Sequence, residues 1–472
     1  MTMKKTFALL LALAMLLTSS LSLAEDRQGN PPMSPPTGEM GEGFGAPPDG
    51  QGPGGPGGAP GGMPGQSSAD LTYTAAHEIT EGAEESGETY VSQSADESAI
   101  LVQTDAPVTL EDVTVLKTGD SDGGDNCNFY GLNAAVLVMG GSTTTISGGT
   151  IETSASGANG VFSYGGNGAS NGADGDGTTV IISDTTITTT GNGSGGIMTT
   201  GGGTTYATNL TVTTSGGSSA PIRTDRGGGY VVVDGGTYTS NGLGSPAIYS
   251  TADITVNGAT LISNLSEGVC IEGMNSITLI DCDLTANNTR CNGNATFLDT
   301  IMIYQSMSGD ADSGTSAFTM EGGTLTSLSG HMFHVTNTHA VITLNHVTLV
   351  NRGSDILLSV CDDGWSGAGN TAELASVHQE MEGTLLVGDN STLTLSLTEG
   401  SSFTGTVSGN IENSKGETVS TEVGEVYVVL DESSTWTLTA DTEITGFEGS
   451  AENVIGNGYT LYVNGTALEG TR

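Results

Sequence analysis

The sequence predicts an all-β chain wound as a three-sided parallel β-solenoid of roughly twelve to fourteen rungs, and three regularities carry that expectation. Nine times between Leu110 and Leu349 two apolar anchors lie five residues apart: Leu110/Val115, Ile146/Ile151, Ile182/Ile187, Ala207/Val212, Val233/Tyr238, Val256/Leu261, Leu279/Leu284, Met320/Leu325 and Leu344/Leu349. Side chains alternate across a strand, so an odd spacing cannot place both anchors inward from one straight strand. A bend must separate them. Ser147-Gly148-Gly149, Asp234-Gly235-Gly236, Asn257-Gly258 and Glu321-Gly322-Gly323 supply it, because Gly and Asn tolerate the left-handed backbone of a tight turn. Ten residues after the second anchor comes a third, at Val161, Ile197, Ile222, Ile248, Ile271 or Val335, beyond a Gly/Ser/Asn-rich corner. The simplest units recur every 23 to 26 residues, a period at which stacked rungs bury their apolar faces on one another. A propeller blade needs roughly 40 to 45 residues, and a sandwich would not hold three anchors at constant offsets.

The ends of the chain read differently. Residues 1–24 combine Lys4 and Lys5 with the apolar run Phe7 to Leu17 and the small-residue end Ser22-Leu23-Ala24, the pattern of a secretory signal peptide. No second apolar stretch approaches the roughly 18 residues of a membrane span. The expectation is a secreted chain, or one held to the cell envelope without a covalent anchor. Residues 25–67 include 10 of the 13 prolines and read as a Pro/Gly-rich linker without a core. The β-helix is expected over residues 68–383, with insertions at 119–131, 163–177 and 287–315. From Thr384 the five-and-ten frame fades, and residues 384–472 read as wider final rungs and a cap, with Trp436 plugging the core. Trp365, in a Gly-rich loop, reads as exposed.

Charge narrows the partners. Without residues 1–24 the chain has 8 basic residues against 53 acidic ones, a formal charge of −45. Nucleic acid and anionic membranes depend on Lys and Arg to neutralise phosphate, so neither is expected as a partner. Five cysteines in so long a chain make no disulfide scaffold, although Cys282 and Cys291 are near enough in sequence to bridge. The chain reads as a monomer.

Fixed inward anchors sort the outward residues into columns. The second face carries Thr114, Thr150, Thr186, Thr211, Thr237, Thr260, Asp283, Thr324 and Thr348. Thr is the residue a solvated strand prefers, and a Thr-x-Thr spacing such as Thr186-Ile187-Thr188 also resembles the face of ice-binding β-solenoids. The third face is mixed: Phe162, Met198, Arg223, Tyr249, Glu272 and Tyr304 follow its anchors. Rings and charged forks along a parallel face suit a sugar chain, which makes Phe162, Arg223, Arg226, Tyr249, Glu272 and Tyr304 candidate ligand-binding residues. The insertions flank that face and carry Asp120, Asp122, Asp125, Asp174, Asp176, Asp310 and Asp312. Carboxylates at alternate positions on a Gly-bent loop can serve Ca²⁺ or remain solvated turn acids. Arg223 and Arg226 around Asp225 form a local ion pair or an anion-reading fork. His331, His334, His339 and His346 lack convincing ligand spacing.

The frames Thr143-Thr144-Thr145-Ile146-Ser147-Gly148-Gly149-Thr150-Ile151 and Asp253 to Leu261 resemble the right-handed β-helix of the pectin-lyase-like superfamily. More narrowly, Thr224-Asp225-Arg226-Gly227-Gly228-Gly229, Ser245 to Thr251 and Met302 to Ser306 resemble secreted adhesin-like β-helix proteins of bacteria and archaea, a group without an established reaction. The resemblance implies a right-handed coil. Of the hydrolase motifs in that superfamily only Asp362-Asp363 and Gly330-His331 are present, in the wrong order. A lyase would pair Ca²⁺ with an Arg base, but Asp120 to Asp125 lie about three rungs from Arg223, roughly 14 Å at the rung spacing. The sequence therefore favours a non-catalytic protein binding extracellular glycan along its third face, with calcium as an expected aid and a polysaccharide lyase or hydrolase as the alternative.

Overall fold

The computed structural model describes residues 71–167 and 174–472. The expected signal peptide and linker lie outside these residues. Three long sheets wrap one core. Sheet 1 has fourteen strands from Ala83–Ser86 to Gly446–Glu448, sheet 2 has ten from Thr89–Ser92 to Thr348–Asn351, and sheet 3 has fifteen from Thr74–Ile79 to Val454–Ile455. Strands of successive rungs pair in parallel: Ile182 lies opposite Ala207 in sheet 1, Ile187 opposite Val212 in sheet 2 and Ile197 opposite Ile222 in sheet 3. This is a three-sided parallel β-helix.

The bends fall between the paired anchors, as the odd spacing requires. Asp112, Asp184, Asn209 and Asp281 hold φ between 50° and 53°, and Gly148, Gly235, Gly258 and Gly322 stand at the same place on other rungs. Gly149 has a second reason to be glycine. A Cβ there would lie 2.2 Å from the Val113 carbonyl oxygen, which accepts a hydrogen bond from Thr150 N at 2.9 Å. With the bends set, the anchors of all three faces meet in one cluster, from Ile79 through Ile182, Val212 and Ile271 to Trp436 and Leu461.

The C-terminal part differs from the expected widening at Thr384. Sheet 2 ends with Thr348–Asn351, after which each coil contributes only to sheets 1 and 3. The cause is a missing corner. Arg352 to Asp355 separates sheet 2 from sheet 3 on the last three-sided rung, whereas Glu380–Val387 runs on as one strand of sheet 3. Gly383 takes up the bend with φ 134°, and a Cβ on its neighbour Gly405 would lie 1.9 Å from the Gly383 carbonyl. Beyond this, Trp436 is fully buried beside Phe403, ring centroids 5.9 Å apart, and its indole donates to the Gly405 carbonyl at 3.1 Å. The indole fills the narrowed core, in line with the sequence expectation. A small sheet of Thr442–Ile444, Leu461–Val463 and Thr466–Ala467 follows.

Among the described residues no helix is long and apolar enough to cross a membrane. Truncating the plug, Trp436→Ala, is expected to cost about 3–5 kcal/mol in chemical denaturation, the usual range for an emptied aromatic core site. Gly149→Ala should also destabilise, since it combines backbone strain with a clash.

Candidate functional site

The third face points away from the solenoid core, as its anchors dictate, but it does not meet solvent. Phe162, Met198, Arg223, Tyr249, Glu272 and Tyr304 are all buried. An open sugar-binding column on this face is therefore corrected: insertions lie over it as a second layer.

Insertion 119–131 supplies the first cover. Its short helix α1 (Asp125–Tyr130) sets Phe129 and Tyr130 in one apolar cluster with Leu137, Phe162, Tyr164 and Met198. Helix α1 is held from several sides. Thr200 Oγ1 donates to the Phe129 carbonyl at 2.7 Å, and Tyr73 Oη donates to that of Tyr130 at 3.0 Å. The Arg226 guanidinium stands 4.4 Å from the Phe129 ring centre and forks onto Asp310 Oδ1 from Nε at 3.1 Å and Nη2 at 2.6 Å. Arg223 donates to Asp225 Oδ2 at 2.7 Å, to Asn128 Oδ1 at 3.2 Å and to the Ser218 carbonyl at 3.2 Å. Arg223 thus makes the local ion pair with Asp225, one of the two readings the sequence left open, whereas Arg226 pairs instead with the distant Asp310. Both arginines tie the layer to the sheet.

Insertion 287–315 and the loop around Trp365 supply the second cover. Tyr249, Cys270, Ala295, Met302, Tyr304 and Trp365 form one cluster. Trp365 is buried against Tyr304 at a ring distance of 4.9 Å, so its expected exposure is corrected: the Gly-rich loop folds inward over an aromatic. Glu272 sits beneath as an acceptor for the Tyr249 hydroxyl at 2.5 Å, the Tyr304 hydroxyl at 3.0 Å, Ser308 Oγ at 3.2 Å and Ser306 Oγ. Burial raises its pKa against the pull of those donors. Asp225 is likewise pushed up to about 7 by burial, despite Arg223.

A buried acid and imidazole group lies further along the same face. Val269 pairs with Ile301, so Glu267 and Asp299 stand side by side on adjacent rungs, and Asp299 pairs in turn with His331. Burial first, and then Glu267 and Asp363, raise Asp299 well above the ordinary carboxyl range. His331 is pushed down to about 3 by burial and by His334. Ser359 Oγ lies 2.8 Å from Nδ1 of both His331 and His334, and His334 Nε2 lies 3.3 Å from Asp363 Oδ2. Asp363 Oδ1 accepts from Thr296 N, Thr296 Oγ1 and Gly364 N at 2.7 to 2.8 Å. This network closes the Phe297 segment over the sheet. Nothing in the sequence pointed to a role for Glu267, Asp299 or Ser359.

The seven insertion carboxylates are not gathered. Asp120 accepts from Ser156 N at 2.8 Å, Asp176 from Thr178 N at 2.9 Å, and Asp310 is committed to Arg226. Asp122, Asp125, Asp174 and Asp312 are exposed. Among the described residues no three His, Cys, Asp or Glu side chains are placed to hold one ion. The Cys282–Cys291 bridge that the sequence spacing allowed does not form. Both thiols are free, Cys282 in the bend of its rung and Cys291 3.0 Å from Ser414 Oγ.

Sheet 1 carries the feature that sequence reading missed. Ile181 pairs with Tyr206, and Tyr206 with Val232. Tyr230 emerges beside them, its ring 6.3 Å from that of Tyr206. Ile181 is 40% exposed and both tyrosines are 43% exposed. The signal was available: Ile181 and Tyr206 each precede a first anchor. On sheet 2 the threonine ladder holds in register from Thr114 to Thr348, interrupted only at Asp283.

No protein-family model, curated protein or solved structure matches this chain. Its class rests on its own architecture: an all-β, three-sided parallel β-helix with one face sealed by insertions.

The buried acids make stability depend on pH. A carboxyl whose folded pKa exceeds its unfolded value, near 4, keeps a proton where the unfolded chain has lost it. That contribution is full below about pH 4 and is lost as pH rises through the raised values, about 7 for Asp225. His331 works the other way, since its depressed pKa costs stability as pH falls below about 6.5. Several raised acids outweigh one histidine, and thermal unfolding should show a higher Tm at pH 5 than at pH 8. Asp299→Asn, which leaves nothing to ionise at that position, should narrow the difference.

Proposed function

We propose that this chain is an exported, non-catalytic, adhesin-like β-helix of the pectin-lyase-like superfamily, and that it binds an extended, uncharged extracellular polysaccharide along the outer face of sheet 1. The observation that carries the reading is the exposed group of Ile181, Tyr206 and Tyr230 on adjacent rungs. Contiguous apolar surface on a soluble chain marks an interaction site, and tyrosine joins a ring that stacks on a pyranose to a hydroxyl that hydrogen-bonds it. The two rings lie on adjacent parallel strands, offset by two residues with centroids 6.3 Å apart, and offer a short platform to a polymer crossing neighbouring rungs. The formal charge of −43 opposes an acidic polymer and favours a neutral one. Export rests on the pattern of residues 1–24.

Catalysis on acidic polysaccharide is less well supported, because Arg223 and Arg226 are engaged by Asp225 and Asp310 under the covering layer. Ice contact along sheet 2 is weaker still. Asp283 interrupts the threonine ladder, and Glu152, Ile262 and Val350 break the column beside it.

Affinity electrophoresis through gels containing neutral glucans, mannans or pectate tests the reading. Retardation is expected in a neutral gel and not in pectate. Two rings stacked on sugar are worth about 1–3 kcal/mol together, so Tyr206→Ala/Tyr230→Ala should weaken binding about fivefold to a hundredfold. Equal retardation of the double variant would remove sheet 1 as the site.

A further inference from the structure

The bends between sheet 1 and its following strand end in an unusual pair. Positions that carry Asp, Asn or Gly on earlier rungs carry His346 and His378 on two adjacent ones, each with left-handed backbone, φ 54° and 48°. Asn345 pairs with Val377, which brings the two histidines into register. Their rings stack with centroids 4.9 Å apart and planes 16° from parallel. Both are exposed.

Two further observations describe the backbone beneath the pair and the contacts of its rings. The buried Gln379 locks the bends together: its Oε1 accepts from Val347 N at 2.8 Å, and its Nε2 donates to the Val347 carbonyl at 2.8 Å and to the Glu380 carbonyl at 2.7 Å. Each ring is also engaged through Nδ1, His346 with Asn345 Oδ1 at 3.2 Å and His378 with Glu399 Oε2 at 3.3 Å. An acceptor oxygen at Nδ1 fixes the tautomer that leaves the Nε2 lone pair free. Metal-ligating histidines are oriented in this way.

We propose that His346 and His378 form a surface site for a divalent transition-metal ion of the zinc or copper class, ligated by Nε2 of each ring and completed by water. Imidazole selects such ions over calcium. Metal–nitrogen bonds of about 2.0–2.1 Å place two ligating nitrogens roughly 3–4 Å apart. In the stack the two in-plane lone pairs run side by side, so ligation turns each exposed ring about its side-chain torsions until both Nε2 atoms face one ion. Glu399 acts as the outer carboxylate that positions His378. With two protein ligands the site is open and shallow, suited to a labile ion or to one that bridges to a donor on a bound partner.

Calorimetric titration of the full chain with Zn²⁺ alone tests this site. One saturable, chelator-reversible site per chain is expected, with no comparable heat from Ca²⁺. His346→Asn and His378→Asn should each weaken it at least about tenfold, whereas His339→Asn, on the neighbouring strand, should leave it unchanged. Asn tolerates the left-handed backbone, so unchanged circular dichroism separates lost ligation from lost folding. A His346→Asn/His378→Asn chain that titrates like the wild type would overturn the assignment, as would a wild-type chain with no saturable uptake.

Discussion

Each rung turns at the same point, through a residue with positive φ, and this repeated bend sets the rest of the molecule. Because the bend sits between anchors five residues apart, it points both anchors inward and puts their neighbours outward on two different sheets. Register then propagates without slippage, since a shift by one residue would exchange core and surface along a whole strand. The same bend column decides which side chains accumulate there: Asp, Asn and Gly along most of its length, and two histidines near its end.

The sealed third face follows from a second constraint. A parallel sheet covered on both sides can bury charged groups only if each finds a partner, because an isolated buried charge costs more than packing returns. Arg223, Arg226, Glu272 and Asp363 meet that demand with two or more contacts each. Their partners come from residues far apart in sequence, such as Asn128 with Arg223 and Thr296 with Asp363. What looks along the sequence like a ligand-reading column is thus a seam between two layers.

Anchors, bends and columns were legible because they repeat, and a repeat carries its geometry in its offsets. Tyr304 could be assigned to the outward column on that basis, and Ile303 just before it lies in the core. The insertions have no period, so neither their path nor their cover over Phe162 and Tyr249 could be read. Trp365 shows the difficulty: a Gly-rich surrounding suggested solvent, while the fold brought an aromatic partner from another rung. Tyr206 and Tyr230 were overlooked for a different reason. Tyr206 stands one residue before its first anchor and Tyr230 three before its own, so no single offset marks both. The narrowing after Asn351 was hidden because the absence of a corner leaves no motif.

The constant offset between anchors also makes the rung a countable unit. Gaining or losing one whole turn of the coil would leave every remaining bend, anchor and outward column facing as before, whereas gaining or losing a single residue between paired anchors would invert everything beyond it. The length of the sheet 1 platform can accordingly change in whole steps without disturbing the chemistry of any step. Material added at the corners, as around α1, changes what covers a face while the coil beneath it keeps its pitch.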